Sequence, residues 1–487
     1  MSTSSRVAKS SLFLLSIQVL QRGLGIISTL ILARLLTPEH FGIVALVTIA
    51  LQFFELLVET GNRQYIVQKE HVDCDDLNTA WSMDVLIKSA MAILVILVAP
   101  STALYFDTPE LSLALSIAAL AMPMRALKNP GMMRLAREIN YRPLFRLTIW
   151  QKTISFLVVV TFAIIQPSHW AVIIGNLVSA IILATGSYLV DSHRPRWTLV
   201  HFRKQFGFSQ WLLMRGVVGF TRSQVDNLMV SKLFGTTQLG GYNLVREISL
   251  LPAISAIIPM SEPLLAAIAE SKNDPRILAY RVRLSLALMI TTLIPITTFI
   301  MLYPEMIVSV LLGENWIDYA LLLEPFGLFF FTFCLFSLIS DAIIAQGKVK
   351  ALFIFDLIST LVIFALLVIF GSAGLEAMAW SRAWLAVGTT AFLLWLLHRW
   401  IPFGMLRLTW LCAPVMVAVL CSALATTQLP IDEWRLLNEF IGRGTFFIVT
   451  SIASTFFAGK IFLGRSPEWQ QLTSMANQLY IRLAGKR

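Results

Sequence analysis

The chain has 487 residues, 57% hydrophobic and 14% charged, with mean hydropathy +0.75 and a formal net charge of +10. Soluble domains carry about 25% charged residues, so a soluble globular protein is excluded and a polytopic α-helical membrane protein is indicated. Cys74, Cys334, Cys412 and Cys421 are scattered and show no metal-ligand spacing.

The polar, basic start MSTSSRVAKS leads into an apolar run over 11–36. That run is too long for a signal h-region and reads as an uncleaved first span. Arg22 falls near its middle, where a cation costs about 2.5–3.5 kcal/mol on insertion scales. A spanning helix needs about 20 apolar residues. Further spans follow at 40–60, 79–105, 110–127, 146–166, 169–190, 208–231, 241–268, 284–303, 317–345, 351–370, 374–397, 408–428 and 443–463. This gives about fourteen, or twelve if two weak segments merge or lie flat. Pro252, Pro259 and Pro263 predict a kink or break in the eighth span. Glu324 and Pro325 interrupt the tenth. The tail 464–487 places Trp469, Leu472, Met475, Leu479 and Leu483 at helical spacing and reads as an amphipathic helix on the inner membrane surface.

Charge sets the orientation. With the N-terminus inside, the basic loops 128–146 and 191–206 both fall on the cytoplasmic side, and Lys232 and Arg435 are the outer-loop exceptions. Both termini are then cytoplasmic. The net charge reads as positive-inside topology, and nucleic-acid binding is the weaker explanation. The outer loops are too short to build a catalytic domain, and the six histidines show no paired motif for metal or nucleophile chemistry.

ARLLTPEHFGI (33–43) aligns with SKLFGTTQLGGY (231–242), allowing one inserted residue. Upstream, QRGLG (21–25) faces MRGVVG (214–219), so Arg22 falls opposite Arg215. Six spans repeated in parallel predict two pseudo-symmetric lobes around a central cavity, a transporter architecture. The expected divisions are a lobe over 1–190, a basic linker over 191–206, a second lobe over 207–400, two further helices over 401–463 and the tail.

ARLLTPEHFG and GTTQLGGYN (235–243), with YIVQKE (65–70) and LLGENW (311–316), resemble the Wzx-type polysaccharide and O-antigen flippases, especially the colanic-acid-type branch. These form part of the multidrug/oligosaccharidyl-lipid/polysaccharide exporter superfamily. ETG at 59–61 departs from the more apolar turn expected there. The resemblance implies movement of an undecaprenyl-diphosphate-linked oligosaccharide from the inner to the outer leaflet of the bacterial cytoplasmic membrane. It implies no enzymatic activity and no cofactor beyond H+ or Na+ coupling. It suggests a polymerase and a chain-length regulator as partners. In related lipid II flippases the last two helices line a groove for the lipid tail, which suggests the same role for spans 13 and 14.

A diphosphate crossing a bilayer needs cations to replace its water, and Arg binds phosphate through paired hydrogen bonds. The candidates are Arg22, Lys88, Lys152, Arg215, Arg222 and Arg246, with Arg22, Arg215 and Arg246 favoured; Arg246 lies in YNLVREISLLP, which resembles the Arg-bearing eighth span of lipid II flippases. Simple pairing of Lys88 with Asp84 and of Arg222 with Asp226, each i,i+4, is the structural alternative, as is snorkelling for Lys152, Arg34 and Lys232. Glu55, Glu59, Glu247, Glu262, Asp341 and Asp356 are candidates for ion coupling, against charge pairing with the arginines. The rivals are a lipid II or small-molecule exporter of the same superfamily, and a membrane O-antigen polymerase or ligase.

Overall fold

The computed structural model describes residues 3–59, 62, 65–66, 69, 72–138, 140–271, 273–428, 436–464, 466–471 and 473–474. Of 3–12, 14–15, 136, 203–215 and 372 it describes the backbone alone. These residues form α-helices with short 3₁₀ and π turns, and no strand is found among them. Twelve of the described segments are helical, long and apolar enough to cross a membrane. Helices also occupy the two remaining expected spans, 110–127 and 208–231. This is a multi-pass membrane protein.

The chain packs as two compact units, 1–243 and 244–487. The first contains α1 (Thr3–Leu35), α2 (Pro38–Leu57), α3 (Cys74–Tyr105), α4 (Glu110–Ala119), α5 (Ala121–Ala126), α6 (Gly131–Arg137), α7 (Arg142–Ile165), α8 (Trp170–Val190), α9 (Phe202–Phe234) and the start of α10 (Thr236–Pro252). The break between α4 and α5 falls at Leu120, where Pro123 removes the N–H that would have bonded Ala119. Asp73 starts α3 with a capping box: its side chain accepts from the Asp76 N–H at 2.7 Å, and the Asp76 carboxylate accepts from the Asp73 N–H at 3.1 Å.

The basic linker is fastened along the polar start of α3. Asn78, Thr79 and Ser82 are buried there. They accept backbone N–H groups of Arg196 (3.1 Å), His201 (3.5 Å) and Thr198 (3.1 Å) respectively. Asn129 donates to the carbonyls of Asp191 (2.9 Å) and His193 (2.8 Å), and Arg134 pairs with the Asp191 carboxylate at 2.9 Å. An extended segment thereby satisfies backbone groups that would otherwise lack partners.

The two repeat motifs meet in this unit. A Cβ on Gly42 would lie 1.8 Å from the Thr236 carbonyl oxygen, and one on Gly240 would lie 1.8 Å from that of Pro38. In the alignment Gly42 corresponds to Gly240 and Pro38 to Thr236, so the contact is reciprocal, as a two-fold relation requires.

The second unit contains the rest of α10, a π turn (Ala253–Ile257), α11 (Ile258–Glu270), α12 (Pro275–Leu302), α13 (Pro304–Leu311), a 3₁₀ stretch (Glu314–Leu322), α14 (Leu323–Ala345), α15 (Val349–Phe370), α16 (Leu375–Trp400), α17 (Met405–Thr427) and α18 (Leu436–Leu463). The expected break in span 8 is the π turn. Pro259 cannot donate to the Ser255 carbonyl, and the widened turn absorbs the loss. Pro325 sits in the first turn of α14, where its missing N–H costs little.

Helices α17 and α18 pack closely through Val415, Val419 and Phe447. The segment after α18 docks on its unit: Trp469 is buried, and a Cβ on Gly459 would lie 2.0 Å from its ring. At least this part of the tail packs on protein. Leu472, Met475, Leu479 and Leu483, which carry the rest of the amphipathic reading, lie outside the described residues, as do Thr60 and Gly61 of ETG.

Candidate functional site

Helices α2, α3, α5 and α8 line an open charged cavity of about 450 Å³ in the first unit. Its polar lining is Gln52, Glu55, Glu59, Lys88, Arg125 and Lys128. Glu55, Glu59, Arg125 and Lys128 lie at or just past the helix ends that lead into the basic loops. Arg125 forms an ion pair with Glu55, two side chains that keep 38% and 35% of their surface accessible. Lys88 lies midway along α3, with its Nζ 3.9 Å from the Asp84 carboxylate. Asp84 is buried and already accepts from Asn62 at 3.0 Å. Lys88 therefore shares Asp84 and presents its charge to the cavity. Lys152 on α7 is close enough to Arg125 to feel its charge. Three cations and two carboxylates thus line one space large enough for many water molecules.

Three sequence candidates meet here: Glu55, Glu59 and Lys88. Two lining cations were missed, because Arg125 and Lys128 fall where the span runs into a basic loop and count there as topology signals. The proline break that sets Arg125 on its own short helix was the available clue. Arg22 is half-buried on α1 and is not among the residues lining this cavity. The Arg215 side chain lies outside the described residues. Arg222 is half-buried one turn before Asp226, which is fully buried and accepts from the Tyr242 hydroxyl at 3.2 Å.

In the second unit two arginines share one aromatic ring. The Arg246 guanidinium is 5.3 Å from the Phe329 ring centre and that of Arg382 is 4.7 Å from it. Cation–π contact of this kind stabilises a desolvated guanidinium by about 2 kcal/mol. Arg382 is only 4% exposed. It was missed although the reasoning applied to Arg22 applies to it equally. Glu247 and Glu262 are exposed, while Asp341 and Asp356 are half-buried on α14 and α15.

Histidines that stand apart in sequence gather in space. The rings of His40 and His169 are 5.8 Å apart, and His169 is 3.7 Å from Glu110. Burial lowers the His169 pKa against the pull of Glu110. His201 is 3.9 Å from both Asp73 and Asp76, and their ligand atoms would suit a metal ion. Lys69 already supplies a cation to Asp76 at 2.5 Å, which makes this an ion-pair network. The hydrogen bond from the Asp76 N–H holds Asp73 below the usual carboxylate range.

Helices of spanning length with arginines inside them and a charged cavity beside them define a multi-pass membrane protein with ionisable groups within its helical units. Residues 31–321, more than half of the chain, match the family model described as polysaccharide biosynthesis protein. The chain belongs to that family. It is 23% identical over 305 residues to the succinoglycan biosynthesis transport protein ExoT of Rhizobium meliloti (strain 1021), covering 60% of each chain. It is 20% identical over 298 residues to the lipopolysaccharide biosynthesis protein WzxC of Escherichia coli (strain K12), covering 60% of this chain and 61% of that one. The matches thus span about three fifths of these relatives' lengths. The fold is that of the lipid II flippase MurJ in an inward closed conformation, with a TM-score of 0.74 at 16% identity over 93% of this chain and 98% of that one. The family and fold expected from ARLLTPEHFG and its partner motifs are borne out.

Proposed function

We propose that this protein is a flippase of the bacterial inner membrane. It carries an undecaprenyl-diphosphate-linked oligosaccharide from the inner to the outer leaflet by alternating access, for exopolysaccharide, capsule or O-antigen synthesis. The observation that carries this reading is the cavity with Lys88, Arg125 and Lys128 on its wall. Ionisable groups inside spanning helices are costly and are kept where they serve a pathway. Here the cations suit a diphosphate, while Glu55 holds Arg125 in place until a phosphate competes for it. Glu55 and Glu59 are the coupling candidates on the same wall. Arg22, Arg215, Arg222, Arg246, Arg382 and Lys152 are further cations for the path. The two repeats, over 1–190 and 207–400, supply the rocking halves. The basic linker and both termini face the cytoplasm, and a polymerase and chain-length regulator take up the product. No step of the translocation makes or breaks a covalent bond.

The test is deletion of the gene in its host, followed by measurement of undecaprenyl-diphosphate oligosaccharide in lipid extracts and of surface polysaccharide. Full-length lipid-linked repeat should accumulate while surface polymer disappears. Wild type should reverse both. Arg125→Ala and Lys88→Ala, each removing a charge-assisted contact of about 1.5–3 kcal/mol, should restore polymer at rates lower by about 10- to 100-fold. Unchanged lipid pools and polymer in the deletion strain would reject the reading and favour a small-molecule exporter.

A further inference from the structure

A groove of about 860 Å³ runs between α15 and α16, the eleventh and twelfth spans. On α15 its lining extends from Ala351 to Phe370, and on α16 it follows Trp380, Trp384, Gly388, Phe392 and Leu396 at every fourth residue. At 1.5 Å per residue the α15 wall is about 28 Å long, close to the full 30 Å of a bilayer's hydrocarbon. The groove is lined almost wholly by apolar side chains, and toward its Lys350 end the Phe355 and Phe392 rings stack 5.8 Å apart. Its few hydroxyls, on Ser359, Ser381 and Thr389, donate to carbonyls of their own helices. They have no donor to spare for a polar ligand.

The two ends differ in charge. Next to Ala351 and Leu396 stand Lys348, Lys350 and Arg399, and the last two are exposed. Lys348 lies 3.9 Å from the Trp400 ring centre. Beyond Phe370 the turn GSAG is uncharged, and Glu376 follows it at the start of α16. An anionic head at the Lys350 end with an apolar chain running the length of the groove matches this pattern. A phospholipid chain reaches only to the midplane, about 15 Å, and would fill half of it. A single polyprenyl chain is long enough to fill all of it.

We infer that the α15–α16 groove seats the polyprenyl tail of the lipid-linked substrate, with its phosphate beside Lys350 and Arg399. This rests on the flippase reading for the substrate's identity. It places the tail on the eleventh and twelfth spans and not on α17–α18, whose facing surfaces pack against each other.

The groove can be probed without transport. Photoreactive benzoylphenylalanine is placed at Trp384 in the groove or at Phe364 on the opposite, lipid-facing side of α15, which is 51% exposed. The full protein is reconstituted in phosphatidylcholine vesicles with radiolabelled undecaprenyl monophosphate. Crosslinking should be several-fold stronger at Trp384. Gly388→Leu should abolish the excess. A Cβ there meets nothing within 4 Å, so the added side chain fills the groove without displacing protein. Lys350→Gln with Arg399→Gln should weaken capture of the phosphate and leave capture of undecaprenol unchanged. Equal labelling at both positions would overturn the inference, as would labelled phosphatidylglycerol crosslinking as well as the polyprenyl probe. Each reading can fail alone: transport with no crosslink removes the groove, and a crosslink without transport removes the flippase.

Discussion

Glu468 has no exposed side-chain surface, yet it faces two guanidinium groups. Arg283 donates to Oε1 from Nε at 3.0 Å and from Nη2 at 2.6 Å, and Arg407 donates to Oε2 at 3.0 Å. Burial pushes this carboxyl up, but a backbone hydrogen bond and the two arginines more than offset it and hold its pKa below the usual range. A lowered pKa contributes stability above the unfolded value, about 4.3, that is lost as pH falls through the folded one. Glu468→Gln should therefore lower Tm at pH 7. Its melting curve should also change less than wild type between pH 6 and pH 3 in detergent thermal scans. A variant with wild-type Tm at pH 7 would remove the clasp from the stability account. Breaking a buried pair by removing one partner costs on the order of 3 kcal/mol. Residues of this kind were the least legible in the sequence. Glu468 and Arg283 are 185 positions apart, and no local pattern links them. Arg125 was hidden differently, since a cation at a span's end looks the same whether it anchors topology or lines a cavity.

Elements were far more legible, because period and proline act locally. All fourteen expected segments are helical, and the breaks fall at Leu120 and at 253–257, where Pro123 and Pro259 remove donors. The repeat motif carried information about packing as well. At Gly42 and Gly240 the backbones of α2 and α10 come into direct contact. Overpacking a well-filled contact with extra methylenes already costs about 1–3 kcal/mol, and here the obstacle is a carbonyl oxygen that has no rotamer to move. Gly42→Leu or Gly240→Leu should hold this contact open and reduce polysaccharide export to the level of the deletion strain, with protein still present in the membrane. Gly23→Ala and Gly219→Ala meet nothing within 4 Å and should export normally. Normal export by the leucine variants would show that the close approach is dispensable.

For the molecule as a whole, packing and sequence symmetry divide the chain differently. Packing sets the boundary after Asn243, whereas the repeat sets it at 191–206. The first reports which helices touch in this conformation and the second reports which segments correspond. We retain the repeat as the proposed functional division. The proposed orientation rests on the distribution of Lys and Arg. Lys232 was one of two outer-loop cations. It pairs with Asp107 at 3.3 Å, donates to the Tyr105 carbonyl at 2.6 Å and lies 4.8 Å from the Tyr105 ring centre. Pairing does not take this lysine out of the orienting count, because that bias follows the number of Lys and Arg and not net charge. Cys74 is exposed at the start of α3, on the same side as those loops, and Gln166 is exposed at the far end of α7. In a chain with Cys334, Cys412 and Cys421 replaced by Ser, a membrane-impermeant maleimide should label Cys74 only after the inner membrane is permeabilised. The same should hold for Ser192→Cys with Cys74 also replaced. Gln166→Cys in that background should react in intact spheroplasts. The reverse pattern would invert the topology and place the Arg125 cavity at the outer face, where it would receive its lipid from the wrong leaflet.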